Sequence, residues 1–283
     1  MEKYKHLFAA GCSTLAGGGL ETTNLELRKY YKERYNIEWG SESDIIWPKL
    51  VADEFNLQFH NFTKSGAGLH RFIRQIYDYI YEDFDRAAET IFFIECPVIW
   101  NKVDLYSNEH NRYLLCNIDL VSNPVYEDGE TMGSFRDIHL CDDYFYQSKE
   151  DREEIEKSLI PTLNPAFKKT YNVRAYEKEI LKSLVGLLSF LRYKNYKFYI
   201  LPSAIHISYV QRFIRDINEN MLYLFSDTGK MYGMSDTDFS NWAGDKKMMI
   251  KNETDGLFND THPGYFAHKI WAEALINKLK NEI

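Results

Sequence analysis

The sequence predicts an α/β protein in which helices cover a parallel β-sheet. Short, continuous apolar runs at residues 7–10, 90–94 and 198–201 are typical of strands that are buried on both faces. Between these runs lie segments whose apolar residues recur at helical spacing. Strands that alternate with helices along a chain favour a parallel sheet with helices on both faces. With 283 residues, the chain is long enough to bury one large core.

The first predicted strand, residues 7–10, ends at Gly11 and leads into a loop with three consecutive glycines. The helix predicted at 43–56 includes Pro48, and proline is tolerable in the first turn of a helix, where its missing N–H costs no hydrogen bond. The helix predicted at 69–84 has the clearest amphipathic spacing. The full predicted order is strand 7–10, helix 43–56, strand 57–62, helix 69–84, strand 90–94, helix 180–191, strand 198–201 and helix 265–280.

An acidic, tyrosine-rich stretch interrupts this alternation. We predict that residues 1–103 and 176–283 form the α/β domain and that residues 104–175 are an insertion in it. A structureless loop of that length is improbable inside a compact domain, so we expect the insertion to fold over the sheet, with helices of its own. Two interpretations stay open. The insertion is either a lid over the substrate site, which in open α/β sheets lies beyond the carboxyl ends of the strands, or a passive decoration.

Composition and charge exclude several classes of function. The net charge is -8 and no Lys/Arg-rich block is present, so we expect no binding to nucleic acid. No apolar run approaches the roughly 20 residues that cross a bilayer, so we expect a soluble protein with no membrane partner. The four cysteines show no CxxC pair and no metal-ligand spacing, which is typical of reduced thiols. The apolar stretch before Cys12 is too short for a signal peptide, which predicts a cytoplasmic location.

Two segments carry candidate catalytic side chains. Ser13 follows the first strand in Gly11-Cys12-Ser13, where a hydroxyl at the carboxyl end of a central strand can point into a cleft, and Gly11 allows a sharp turn. His262, in Asp260-Thr261-His262-Pro263, is the natural general base at neutral pH, and Asp260 can orient its ring. The alternatives are a serine that caps a loop or helix and a histidine that makes a structural hydrogen bond.

A third segment, residues 61–66, precedes the helix at 69–84 and offers backbone donors. N–H groups at a helix N-terminus can hold a developing oxyanion, and Gly66 is the best donor because a side chain would crowd the substrate. The alternative is a glycine that only begins the helix. The sequence contains no Gly-x-Ser-x-Gly elbow, no phosphate-binding loop, no dinucleotide fingerprint and no zinc motif, so we expect neither a metal nor a cofactor.

In combination, these segments resemble the SGNH/GDSL hydrolases, in particular a branch whose first block reads Gly-Cys-Ser. Such proteins are common in phage and bacterial genomes. The resemblance spans nearly the whole chain outside the insertion. The matching residues are Gly11-Cys12-Ser13-Thr14 with Gly17, Trp47-Pro48-Lys49-Leu50-Val51-Ala52, Asn61 with Ser65-Gly66, Asp260-Thr261-His262-Pro263, and His268-Lys269-Ile270-Trp271-Ala272-Glu273.

This resemblance implies a three-layer α/β/α, flavodoxin-like fold with a short parallel sheet and metal-independent acyl transfer. Ser13 would attack an ester carbonyl, His262 would take the serine proton, and Asp260 would orient His262. The N–H groups of Ser13 and Gly66 would hold the oxyanion. The acyl-serine would then react with water or with another hydroxyl. The expected substrate is a small-molecule or carbohydrate ester that carries an acetyl or another short acyl group.

The sequence departs from the family pattern at two places. The family commonly has its acid three residues before the histidine, where this chain has Asn259, whereas Asp260 lies two residues before His262. The family also has an oxyanion-hole asparagine after the third strand. Asn101 is the nearest candidate here, and Glu95 could instead line the substrate pocket. Three functions therefore stay open: an esterase, an O-acyltransferase with the same serine and histidine, and a binding or structural protein with a degraded site.

Overall fold

The structure is a computed structural model that describes residues 3–21, 23–64, 67–96, 102–108, 111–120, 125–127, 130–132, 135–140, 149–170, 173–202 and 239–280. In chain order its elements are β1 (His6–Ala10), α1 (Ser13–Ala16), α2 (Leu25–Tyr35), α3 (Trp47–Glu54), β2 (Gln58–Asn61), α4 (Leu69–Glu82), α5 (Phe84–Ala88), β3 (Thr90–Cys96), β4 (Lys102–Ser107), β5 (Arg112–Leu120), β6 (Val125–Glu127), β7 (Glu130–Met132), β8 (Phe135–Leu140), α6 (Lys149–Thr170), α7 (Val173–Tyr193), β9 (Lys197–Pro202), α8 (Phe239–Asp245), α9 (Ile250–Glu253) and α10 (Tyr265–Leu279).

Four parallel strands of the described chain form the main sheet, in the order β2-β1-β3-β9. Phe8 on β1 pairs with His60 on one side and with Phe92 on the other, and Phe92 pairs in turn with Phe198. The apolar residues of β1 and β3 are completely buried, as expected of central strands. The predicted parallel α/β sheet is therefore confirmed.

Helices pack on both faces of this sheet because successive side chains of a strand point to opposite sides. Phe8, Phe92 and Phe198 face α4 and α7. Their sequence neighbours Leu7, Phe93 and Tyr199 face α3 and α10 on the other side. This arrangement is compatible with an α/β/α fold.

Most strands and helices predicted from periodicity agree with the structure to within a few residues, but some helices differ. The helix predicted at 180–191 begins earlier, at Val173, and ends at Tyr193. The helix predicted at 43–56 is divided into a 3₁₀ turn at Glu42–Asp44 and α3, because Ile46 is extended and Pro48 lies in the first turn of α3. The sequence analysis missed α2, which is mostly charged and buries only Leu27 and Tyr31.

The insertion contains more strand than the sequence predicts. β4, β5 and β8 form an antiparallel sheet, β6 and β7 form a hairpin, and α6 packs on β8. The expectation that the insertion has helices of its own is confirmed by α6. An ion pair of 2.8 Å between Arg74 on α4 and Asp104 on β4 joins the insertion to the main domain. A lid function stays a prediction.

The strand order determines where a ligand site is expected. β1 and β3 are neighbours, and the chain continues from β1 to β2 on one side and from β3 to β9 on the other, so the connections after these two strands run in opposite directions. Ligands of open α/β sheets bind at such a switch point, beyond the carboxyl ends of the strands. Ser13 follows β1 directly and Glu95 lies near the end of β3, which places both residues at the crevice.

Among the helices that the structure describes, none is both long and apolar enough to cross a lipid bilayer.

Candidate active site

Ser13 is the first residue of α1 and is half-buried. Its N–H group has no acceptor within the described ranges, because the first N–H groups of a helix lack an intrahelical partner. Residue 11 must be a glycine because a side chain would not fit there, and not because the backbone is left-handed. A Cβ atom at residue 11 would overlap the carboxylate of Glu95 and the side chain of Leu15, and Gly11 is not among the glycines with positive φ.

His262 and Asp260 form a hydrogen-bonded pair. Oδ1 of Asp260 lies 2.8 Å from Nδ1 of His262 and also accepts a hydrogen bond of 2.8 Å from the backbone N–H of His262. The two side chains are 36% and 31% exposed for His262 and Asp260, so water can reach the pair. A carboxylate on Nδ1 places the proton there and leaves Nε2 free to accept one. The shorter acid–histidine spacing therefore still lets Asp260 orient the ring.

The glycine run after Ser13 brings the serine and histidine together. A Cβ atom at residue 18 would lie 3.0 Å from Nε2 of His262 and 3.0 Å from Cβ of Ser13. The distance between Nε2 of His262 and Cβ of Ser13 is therefore at most the sum of these two distances. Gly19, at φ +81°, packs so closely on Asp260 that a Cβ atom there would overlap the carboxylate. Because Gly18 and Gly19 have no side chains, the Asp260–His262 loop can approach Ser13 closely.

No hydrogen bond joins Ser13 to His262, both of which are described residues. Catalytic hydrogen bonds are often long without substrate and tighten when it binds. Nε2 of His262 and Cβ of Ser13 both lie beside Gly18, so the two side chains are neighbours without being hydrogen-bonded.

Backbone hydrogen bonds from the start of α9 hold the Asp260–His262 loop in place. The N–H of Ile250 donates to the carbonyl of His262 at 2.9 Å, and the N–H of Lys251 donates to the carbonyl of Asp260 at 2.9 Å. Met249 and Pro263 form an antiparallel bridge beside them. The segment from Met249 to Lys251 therefore acts as the platform of the loop, a role that the sequence analysis missed.

Glu253, at the end of α9, anchors the helix that follows the loop. Its buried carboxylate accepts hydrogen bonds from the Tyr31 hydroxyl and from the N–H groups of Tyr265, Phe266 and Ala267 at the start of α10. A carboxylate at this end of a helix satisfies unpaired donors and complements the helix dipole. Burial nevertheless raises the pKa of Glu253 to about 7.

His268 is a second, structural histidine close to the site. It is fully buried, and its Nδ1 accepts a hydrogen bond of 3.2 Å from the N–H of Trp47 at the start of α3. Burial, together with the nearby charge of His262, lowers the pKa of His268 to about 3, so the ring is neutral. The hydrogen bond of His268 to Trp47 joins α3 to α10. Of the two histidines, only His262 is partly exposed.

Glu95, which the sequence suggested as a pocket-lining residue, is buried among the described residues. Only 4% of it is exposed, and its carboxylate lies behind the serine loop. It accepts hydrogen bonds of 2.5 Å from the N–H of Cys12 and of 2.5 Å from the hydroxyl of Thr14. A buried carboxylate requires such donors, and here they come from the two residues that flank Ser13.

The thiol of Cys12 is not a competing nucleophile. Burial, reinforced by the neighbouring carboxylate of Glu95, raises the pKa of Cys12 to about 12. A cysteine reacts as the thiolate, so this thiol is inert at neutral pH. The hydroxyl of Ser13 therefore remains the candidate nucleophile of this segment.

The two remaining site predictions, Gly66 and Asn101, lie outside the described residues. The segment before Gly66 lies against the serine loop, since the N–H of Lys64 donates to the carbonyl of Gly11 at 2.8 Å. Within the ranges that the structure describes, no group of three or more His, Cys, Asp or Glu side chains could hold a metal ion.

No protein-family model matches this chain, and no curated protein matches it either. The assignment to the SGNH/GDSL hydrolases therefore stays a prediction that rests on the sequence motifs.

The raised pKa of Glu253 predicts how stability depends on pH. A carboxyl group with a folded-state pKa of about 7 and an ordinary value of 4.5 binds its proton more tightly in the folded protein. Its contribution to stability is therefore complete below pH 4.5 and is lost as the pH rises to about 7. The amide in the Glu253→Gln variant keeps the shape of the neutral acid and does not titrate. We expect the unfolding free energy of the wild type to fall by roughly 3 kcal/mol relative to this variant over that range.

Urea unfolding of both proteins at a series of pH values measures this difference. Because the other titrating groups are shared, they cancel in the comparison. A stability difference that is constant from pH 4.5 to pH 8 would show that Glu253 titrates normally.

The contacts of Glu95 predict that its charge affects the pKa of the Cys12 thiol. Glu95→Gln removes the negative charge beside Cys12, so we expect the pKa of the Cys12 thiol to fall below about 12, while burial keeps it above the ordinary range. The amide NH₂ group of the glutamine would also face a hydrogen-bond donor, either the N–H of Cys12 or the hydroxyl of Thr14. We expect this mismatch to lower the unfolding free energy by about 1–3 kcal/mol. The pH dependence of Cys12 alkylation, followed by peptide mass spectrometry, measures the first effect, and unchanged alkylation would contradict it.

Proposed function

We propose that this chain is a serine ester hydrolase of the SGNH type, which removes an acetyl or another short acyl group from a small-molecule or carbohydrate ester. The observation that carries the proposal is the packing of Ser13 and His262 against the same glycine, Gly18, with Asp260 on the far nitrogen of the histidine. This is the order nucleophile, base and orienting acid that acyl transfer to serine requires.

In the proposed reaction, Ser13 Oγ attacks the ester carbonyl and its proton passes to Nε2 of His262. Asp260 stabilises the imidazolium that forms and keeps the ring in position. The tetrahedral intermediate expels the alcohol, which takes the proton from His262, and leaves an acyl-serine. Water then attacks the acyl group, His262 again accepts and returns a proton, and the carboxylic acid is released.

The backbone N–H of Ser13 is the first proposed donor to the oxyanion, since it has no acceptor among the described residues. Gly66 is proposed as the second donor, and the hydrogen bond from Lys64 to Gly11 beside it supports this placement. The partial exposure of His262 and Asp260 favours water as the acceptor of the acyl group, and therefore hydrolysis.

Labelling with a fluorophosphonate tests the proposal because this reagent modifies activated serines. We expect the wild type to label, Ser13→Ala not to label, and His262→Ala to label at least about 10²-fold more slowly, since general-base catalysis contributes this much. Ser183→Ala, on the surface of α7, is the matched control and should label like the wild type. Wild-type protein that fails to label would contradict the proposed nucleophile, as would labelling that survives in Ser13→Ala.

Gly18→Ala tests the geometry of the site without removing a catalytic group. The new methyl group would lie 2.9 Å from Cδ2 of His262 and 3.0 Å from Cβ of Ser13, so it must push the two side chains apart. Displacement by about 1 Å costs about 10²-fold in rate, and we expect this loss in the fluorophosphonate labelling rate.

The matched control is Gly186→Ala, because a Cβ atom at this position of α7 meets nothing within 4 Å. This variant should label like the wild type and should be more stable by about 0.5–1 kcal/mol, because alanine is the better helix residue. Equal labelling rates for Gly18→Ala and Gly186→Ala would show that close packing at residue 18 does not matter.

A further inference from the structure

Glu95 is a buried carboxylate that the proposed reaction does not use, although it lies next to the segment of the candidate nucleophile. It is the penultimate residue of β3, the strand that pairs with β1, and the segment with Ser13 follows β1 directly. Burial of a charge is unfavourable unless hydrogen-bond donors compensate it. The donors that Glu95 meets therefore indicate what it does in this protein.

The two oxygen atoms of Glu95 hold the residues on either side of Ser13. Oε2 accepts a hydrogen bond of 2.5 Å from the backbone N–H of Cys12. Oε1 accepts hydrogen bonds of 2.5 Å from the hydroxyl of Thr14 and of 3.4 Å from the thiol of Cys12. Both sequence neighbours of the serine are therefore attached to one point on the central sheet.

The other polar backbone groups of this segment have partners, with one exception. The three carbonyl groups of Gly11-Cys12-Ser13 each accept a backbone hydrogen bond, from the N–H groups of Lys64, Ala16 and Gly18 in turn. Glu95 accepts the N–H of Cys12, whereas the N–H of Ser13 has no acceptor within the described ranges. The carboxylate thus occupies the donor beside the serine and leaves the serine N–H available to an oxyanion.

Holding Cys12 and Thr14 fixes the direction of the Ser13 side chain between them. Cys12 is extended, at φ -87° and ψ -158°, whereas Ser13 is the first residue of α1, so the backbone changes conformation at the serine. A movement of this segment would take its donors away from a buried carboxylate, which is costly. Displacement of a reacting group by about 1 Å costs about 10²-fold in rate, so the stiffness of this segment matters for catalysis.

We propose that Glu95 is a positioning residue for the reaction at Ser13. Its carboxylate holds Cys12 and Thr14 so that the hydroxyl and the N–H of the serine keep the directions that attack and oxyanion binding require. Glu95 acts through these two residues and does not touch the substrate. The inference rests on the proposed function, because it concerns the same serine.

The rate constant and the end point of fluorophosphonate labelling together test this role. The end point counts the folded molecules, whereas the rate constant reports how well the serine is oriented in each of them. We expect Glu95→Ala to reach the wild-type end point about 10²-fold more slowly. Glu95→Gln keeps one of the two acceptors, so its labelling should slow only about tenfold. A residue that only stabilises the fold would lower the end point and leave the rate constant unchanged.

Thr14→Val tests the second contact without changing the carboxylate. Valine keeps the shape of threonine but lacks the hydroxyl that donates to Glu95, so we expect labelling to slow about tenfold. Thr14→Ser restores the hydroxyl and should label like the wild type. The double variant Glu95→Ala/Thr14→Val should be no slower than Glu95→Ala alone, because both changes remove the same hydrogen bond.

Thr90→Val is the matched control for the loss of a buried hydrogen bond. Thr90 lies at the other end of β3, is fully buried, and donates its hydroxyl to the carbonyl of Arg86 at 2.7 Å. We expect this variant to unfold at a lower urea concentration than the wild type but to label at the wild-type rate.

These measurements separate failure of this inference from failure of the proposed function. A wild type that labels at Ser13, together with wild-type rate constants in Glu95→Ala and Thr14→Val, overturns the positioning role alone. Equal slowing in Thr90→Val also overturns it, because stability and not orientation would then control the rate. If Glu95→Ala does not fold, Glu95→Gln and Thr14→Val decide by the same comparison. A wild type that does not label overturns the proposed nucleophile, and the positioning role fails with it.

Discussion

Gly18 and Gly19 pack against the side chains of His262 and Asp260, and this contact between the two ends of the chain is the constraint on which the candidate site depends. The side chains of Ser13 and His262 both pack against Gly18. A side chain at either glycine would occupy the space through which the loop approaches the serine. The close approach of these side chains to the glycine backbone, and not any single hydrogen bond, thus brings the candidate nucleophile and base together.

Two buried carboxylates, Glu95 and Glu253, stabilise the two segments that carry Ser13 and His262. Glu95 accepts hydrogen bonds from the residues that flank Ser13, and Glu253 accepts hydrogen bonds from the start of the helix that follows His262. Each carboxylate loses hydration on burial and regains part of it as hydrogen bonds to backbone donors. Moving either half of the site would leave a buried charge without partners, which makes the observed arrangement costly to distort.

An ion pair and a stacking contact join the insertion to the main domain. The backbone N–H of Lys64 donates to the carbonyl of Gly11, and Asp104 and Tyr113 of the insertion contact the guanidinium of Arg74 on α4. The insertion thus has a physical connection to the edge of the sheet where Ser13 lies.

The sequence by itself determined the local features of this protein. Periodicity and apolar runs predicted the parallel sheet and most of its helices, and short motifs identified Ser13, Asp260 and His262, because these signals depend on residues that are near one another in the chain. The tertiary structure alone decided the roles of Glu95, Glu253 and the glycine run, and the antiparallel sheet of the insertion. Their partners are distant in sequence, and whether a buried carboxylate meets donors or a glycine meets a histidine depends on how the elements pack, which no local pattern records.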